Sequence, residues 1–159
     1  MPAITPFLWF DSQAEEAAQY YVSVFPNSRV LSTTPAPDGT PEASAGGILT
    51  AEFELDGVRF TALNGGPHFQ FTEAVSFVID CADQAEVDHY WDALTADGGE
   101  ESQCGWLKDR YGLSWQVVPR QLNDLLGDPD PGRSSRAMQA MLQMRKLDVA
   151  ALQAAADAG

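Results

Sequence analysis

Few side chains in this 159-residue chain are of a type that does chemistry. His68 sits in the segment Asn64-Gly65-Gly66-Pro67-His68-Phe69-Gln70-Phe71, and an imidazole titrates near neutrality, as a general base must. No nucleophile, base and orienting group surround it in sequence, which leaves a structural histidine as the alternative. His89 lies off the apolar face of a helical stretch and is expected at the surface. Cys104, beside Gly105 and Trp106, is either a reactive thiol or a small buried hydrophobe, with no adjacent base or helix start to lower its pKa. Asn64-Gly65-Gly66 offers backbone N–H groups that suit an anion, or else a turn that simply carries the chain onward. The aromatic residues raise a different possibility. Trp9, Phe60 and Trp106 are candidate walls for a flat or apolar ligand, with core packing as the alternative, while Trp115 is expected to face helices. Lys108-Asp109-Arg110 reads as a turn with local charge pairing.

Two similar runs of elements must carry these residues. ITPFLWF is an apolar strand ending at Asp11, followed by a helical stretch, Gln13–Phe25, whose Ala14, Ala17, Ala18, Tyr21 and Phe25 form one stripe. AVSFVI is a second such strand, ending at Asp80 and running into the helical stretch Asp83–Leu94. Each half then supplies strands joined by tight turns. In the first half these are a strand near 29–34 and a hairpin, Ile48–Leu55 with Val58–Leu63, across Asp56-Gly57, a strong two-residue turn signal. In the second half they lie near 102–107 and 113–118. A repeated strand–helix–strands module predicts an α+β fold of two half-barrels around a shared cleft. The modules are expected at about 1–66 and 67–119. The Pro-, Gly-, Ala- and Ser-rich stretch 35–47 is a loop that could lie over that cleft. Beyond Pro119 the pattern turns helical: residues 120–159 form an extension with a cap and first-turn proline at Asp130-Pro131, and a further cap at Asp148. It is expected to pack on the barrel or on a second subunit, with Met138 and Met141 as packing residues.

The formal charge of −14 repels phosphate backbones and anionic lipid, so neither nucleic acid nor membrane is an expected partner. No apolar run reaches the roughly 20 residues that cross a bilayer. No export signal is visible, and two cysteines without metal-type spacing suit a reducing compartment, so a cytoplasmic location is expected.

TPFLWFDSQAEEAAQYY (5–21), LNGGPHFQFTEAVSF (63–77) and QCGWLKDRYGLSWQVVP (103–119) together resemble the PhnB-like branch of the vicinal-oxygen-chelate superfamily, which shares its fold with glyoxalase I and bleomycin-resistance proteins. Members are often described as 3-demethylubiquinone-9 3-methyltransferase-like. The resemblance extends over nearly the whole chain, tail included. It implies paired βαβββ modules, a homodimer, and a site where His and Glu side chains on four cleft strands hold a divalent metal. By strand parity those four positions fall on Thr5, Phe60, Ala74 and Gln116, none a carboxylate or imidazole, and a neutral Gln is a poor substitute for Glu. A one-residue slip would instead bring Glu73 inward, near His68.

No metal and no other cofactor is therefore expected, and no Gly-rich strand–turn–helix suits S-adenosylmethionine. At the usual glutamate position Gln116 either hydrogen-bonds a neutral ligand or is satisfied by Ser114, Ser76 or water. The expected function is metal-independent binding of a small aromatic or apolar molecule, through Trp9, Phe60, Asn64, His68, Trp106 and Gln116. The alternatives are an enzyme of the superfamily (a metal-dependent lyase or dioxygenase type, or a methyltransferase) and a dimeric protein with a vestigial cleft. No catalytic residue is assigned.

Overall fold

The strand–helix–strands repeat is present, with the same order twice. The computed structural model describes residues 2–40 and 47–159, and the chain divides into two units, Met1–Phe71 and Thr72–Gly159. The segment 64–71, expected to link the modules, belongs to the first. Of the 35–47 loop, expected as a cover, residues 41–46 lie outside the described residues.

The first unit runs β1 (Phe7–Phe10), α1 (Ala14–Val24), β2 (Arg29–Pro35), β3 (Ile48–Leu55) and β4 (Val58–Asn64). Its open sheet has the order β1-β4-β3-β2, with β1 parallel to β4 and the other neighbours antiparallel. Asp56 and Gly57 both take positive φ, 45° and 89°, which a two-residue hairpin twisting with its strands requires. That turn sets Leu55 opposite Val58 and Phe53 opposite Phe60. Leu8, Phe10, Ala51, Phe53, Leu55, Phe60 and Ala62 are buried, as are Ala14, Ala17, Ala18, Tyr21 and Val24 of α1. Period-two strands and a period-3.6 helix thus close one core between sheet and helix. Val24 replaces Phe25 in the stripe, because the helix ends at Phe25, whose backbone is extended.

The second unit repeats the pattern as β5 (Ser76–Cys81), α2 (Gln84–Thr95), β6 (Glu100–Glu101), β7 (Trp106–Lys108) and β8 (Ser114–Pro119). Its sheet order, β5-β8-β7-β6, is that of the first unit shifted by four strands. Phe77, Ile79, Trp115, Val117 and Cys81 point to the helix side, and Ser76, Val78, Ser114 and Gln116 to the other. Asp83 caps α2 through Glu86 N–H at 2.9 Å, and Glu86 reaches back to Ala82 N–H at 3.0 Å, a reciprocal cap.

The extension forms α3 (Arg120–Leu126), α4 (Pro131–Met141) and α5 (Val149–Asp157). Asp130 and Asp148 cap the last two, accepting from Gly132 N–H and Ala151 N–H. Leu122, Leu125, Ala137, Leu147, Leu152 and Ala156 make a small core of their own, with Met141 and Met144 packed on it, while Met138 is exposed. The extension docks on its own unit. Gln84 donates to Leu147 O (3.0 Å) and accepts from Val149 N–H (2.8 Å), and the N–H groups of Cys104 and Gly105 donate to Met144 O and Arg145 O.

Candidate functional site

Two of the six candidate ligand residues, Trp9 and His68, meet in the first unit, and Asn64 precedes the turn beneath them. Trp9 lies on the helix-free face of β1, half-buried. Its indole Nε1 donates to Gly66 O at 2.8 Å, and its ring lies so close over Gly65 that a Cβ there would come within 2.3 Å of it. Glycine at 65 is therefore what lets the indole lie against the backbone. Phe69 meets the Trp9 ring edge-to-face at 4.9 Å, and His68 does so at 6.5 Å. Phe69 is 66% exposed, which leaves an apolar ring at the surface beside an anchored indole. Phe69 is not among the residues expected at the site, and the aromatic alternation in His68-Phe69-Gln70-Phe71 is the sequence signal that points to it.

Asn64 anchors this cluster. Its side chain is buried, with Oδ1 accepting from Ala14 N–H at 2.8 Å and Nδ2 donating to Ile48 O at 2.9 Å. Gln13, at the N-cap position of α1, makes no side-chain cap, so Asn64 caps the helix from 50 residues away. The N–H groups of Gly65 and Gly66, read from sequence as an anion cradle or a plain turn, donate to Phe10 O (2.8 Å) and Asp11 O (3.1 Å). The β1–β4 pairing runs on through the turn and takes up the donors an anion would need.

Phe60 is on the core side of its sheet. It is buried and stacked on Phe53 at 5.3 Å, and Phe53 stacks on Tyr21 of α1 at 6.0 Å. The parity that put Phe60 toward a ligand is overturned by the hairpin register, which makes Phe53 and Phe60 direct partners on the core face.

Trp106 and Gln116 are paired across β7 and β8 on the helix-free face of the second unit. Of the alternatives for Gln116, satisfaction by a neighbour is what the geometry gives: Nε2 donates to Ser76 Oγ at 2.9 Å. Trp115 faces the core, with Nε1 donating to Asp109 Oδ2 at 2.9 Å. Local charge pairing in Lys108-Asp109-Arg110 is replaced by longer-range partners. Lys108 pairs with Glu73, and Arg110 with Asp97 at 3.3 Å. The buried Asp109 also accepts from Tyr111 and Leu113 N–H groups, at 2.8 and 3.2 Å. Glu73 and Lys108 hold each other charged, the carboxyl below and the ammonium above its ordinary range, each chiefly through their mutual hydrogen bond. Burial, with the charges of Glu86 and Asp80, pushes the Cys81 thiol up to about 12, the opposite of what a nucleophile needs. Cys104 is half-buried, and His89 is exposed.

Residues 2–118 match the family model described as 3-demethylubiquinone-9 3-methyltransferase. The chain belongs to this PhnB-like family. A PhnB protein of Bacillus cereus, described as a 3-demethylubiquinone-9 3-methyltransferase, is 31% identical with a TM-score of 0.67; the match covers 74% of this chain and 99% of that one. A protein of Pseudomonas aeruginosa is 19% identical with a TM-score of 0.62, covering 75% and 98%. The fosfomycin resistance protein FosX of Listeria monocytogenes, crystallised with Mn(II) and sulfate, is 12% identical with a TM-score of 0.50, covering 74% and 89%. The last two share the fold, that of the glyoxalase and bleomycin-resistance proteins. No curated protein sequence matches the chain. The family match stops at residue 118, short of the helical tail, over which the sequence resemblance was expected to extend.

The residues do not fit the metal that this fold carries in FosX. Thr5 is exposed ahead of β1, Phe60 is in the core, Ala74 is exposed ahead of β5, and Gln116 is a neutral amide bonded to Ser76. Among the described residues no group of three or more His, Cys, Asp or Glu could hold a metal ion. Glu73, the alternative ligand, is held by Lys108. Nor does the Asn64-Gly65-Gly66 turn fit the methyl donor implied by the family's description, since its glycine N–H groups are bonded to Phe10 and Asp11. Among the described residues, no helix is long and apolar enough to cross a membrane.

Proposed function

We propose that this PhnB-like protein binds a small aromatic or apolar molecule, without a catalytic metal. The observation that carries the reading is the Trp9 cluster: an indole fixed by Gly66 O and seated on Gly65, with the exposed ring of Phe69 edge-to-face beside it and His68 at its rim. Such a cluster presents a rigid aromatic edge at little conformational cost on binding. Asn64 is its positioning residue, through the turn that follows. Trp106 and Gln116 remain proposed ligand contacts of the second unit, with the Gln116 amide already oriented by Ser76. A homodimer belongs to the proposal through the superfamily resemblance. A cytoplasmic location belongs to it through the two free cysteines, which suit a reducing compartment.

Titration of the full chain with 1-naphthol, followed by tryptophan fluorescence, tests the reading. Saturable quenching is expected. Phe69→Ala, which removes a mostly exposed ring, should weaken binding about fivefold, the order of one aromatic pair, without lowering the melting temperature. Equal affinity in Phe69→Ala and Trp9→Ala would remove this cluster from the site.

A further inference from the structure

The second unit holds a groove that this reading does not use. It encloses about 190 Å³ at the β6 edge of the sheet, with Glu73, Glu100, Lys108 and Ser114 in its wall. Strand register explains why these four converge. Glu100 of β6 is the direct partner of Lys108 of β7, and Lys108 is the direct partner of Ser114 of β8. Directly opposed residues share a sheet face, so a carboxylate, an ammonium and a hydroxyl stand in a row across three strands. Glu73, from the segment ahead of β5, reaches Lys108 and pairs with it.

Two groups in that row are left over. Ser114 is fully buried, and its Oγ has no hydrogen-bond partner among the described residues. A buried hydroxyl ordinarily finds one, and leaving it without costs stability. Glu100 is exposed and makes no ion pair with a described residue. Glu101, also in the wall, is engaged, accepting from Trp91 Nε1 at 2.7 Å with Arg145 at 3.7 Å. Lys108 pairs with Glu73 and also feels the charge of Glu100, its partner across the strands, so one ammonium stands against two carboxylates and the row keeps one excess negative charge, at exposed Glu100. The groove therefore offers one anionic position and one hydroxyl in need of a partner, with an ammonium between them that can donate to a ligand oxygen. An anion meets excess carboxylate here, and a divalent ion meets the lysine.

We propose that this groove binds a hydroxylated amine, of the amino-alcohol or amino-sugar class: its ammonium faces Glu100, and its hydroxyl is shared by Ser114 Oγ and Lys108 Nζ. The inference goes beyond the aromatic site of the first unit and does not depend on it.

Glucosamine is a suitable probe, with glucose as the uncharged and glucuronate as the oppositely charged control, titrated into the ¹⁵N-labelled full chain. Glucosamine should give saturable shifts at the amides of Leu107, Lys108 and Ser114. Both controls should bind about tenfold more weakly or worse, the order of one charge-assisted hydrogen bond. Ser114→Ala, which removes an unsatisfied hydroxyl and should fold, is expected to weaken glucosamine about fivefold, the order of one neutral hydrogen bond. Glu100→Gln, an exposed change, should remove the preference over glucose. The proposal is overturned if no saturable shift occurs in the millimolar range, if glucuronate binds as well as glucosamine, or if Ser114→Ala binds like the parent.

Discussion

At the scale of single residues, the side chains that looked most functional divide by what holds them. Trp9 is held by the Gly66 carbonyl and by a glycine floor, which together fix the indole against the backbone. Asn64 has both ends of its amide engaged inside the protein, which makes it a positioning residue for the turn beneath that ring. Asn64→Ala removes the cap on Ala14 N–H and the donor to Ile48 O, so it should destabilise the chain by about 2 kcal/mol, one helix cap plus one buried hydrogen bond. Asn64→Asp keeps an acceptor for Ala14 N–H and should cost less. Urea unfolding of both variants measures this, and an Asn64→Ala midpoint equal to the parent's would refute the capping role.

The elements show which parts of this were legible. The strand–helix–strands repeat, the Asp56-Gly57 hairpin and the caps at Asp130 and Asp148 all follow from short-range rules, and the structure has them. The face of Phe60 was equally readable. A two-residue loop fixes Phe53 opposite Phe60, and the alternation Ala51-Glu52-Phe53-Glu54-Leu55 already puts Phe53 inside. Parity along β4 alone, without its partner strand, does not fix that face. The partners of Asn64, Lys108 and Arg110 were not legible, because Ala14, Glu73 and Asp97 are brought to them by tertiary folding. Nor does sequence announce the docking of the extension, which rests on a backbone detail. Cys104 and Gly105 take positive φ, 59° and 85°, and so present their N–H groups to Met144 and Arg145. A Cβ at 105 would also come within 2.9 Å of Leu147 Cδ1 and 3.0 Å of Val117 O. Gly105→Ala should therefore cost about 2 kcal/mol. Hydrogen exchange should quicken at residues 104 and 105 and through α5, and unchanged protection there would show that the extension docks by other contacts.

For the whole molecule, the question is what the tail adds to a fold that its relatives complete without it. The Bacillus cereus protein is matched over 99% of its length by 74% of this chain, and the family match ends at 118, so two βαβββ modules are the shared unit. The residues beyond are built onto the second of them. Leu147 and Leu152 are fully buried, the Gln84 amide bridges to Leu147 and Val149, and Lys146 pairs with Asp88 of α2 at 2.9 Å. These contacts join the tail to the turn ahead of β7 and to α2 of the second unit, so its stabilisation is expected to fall on that unit. Removing residues 131–159 uncovers Leu122 and Leu125 and takes Leu147 away from Gly105. The truncated chain should fold, with a melting temperature lower by on the order of 5 °C. Hydrogen-exchange protection should fall in β7, β8 and α3 and be unchanged in β3 and β4. Light scattering should show the same oligomeric state as the full chain. A loss of protection in the first unit, or a full-length dimer that dissociates on truncation, would move the tail from a cover on its own module to a contact between subunits.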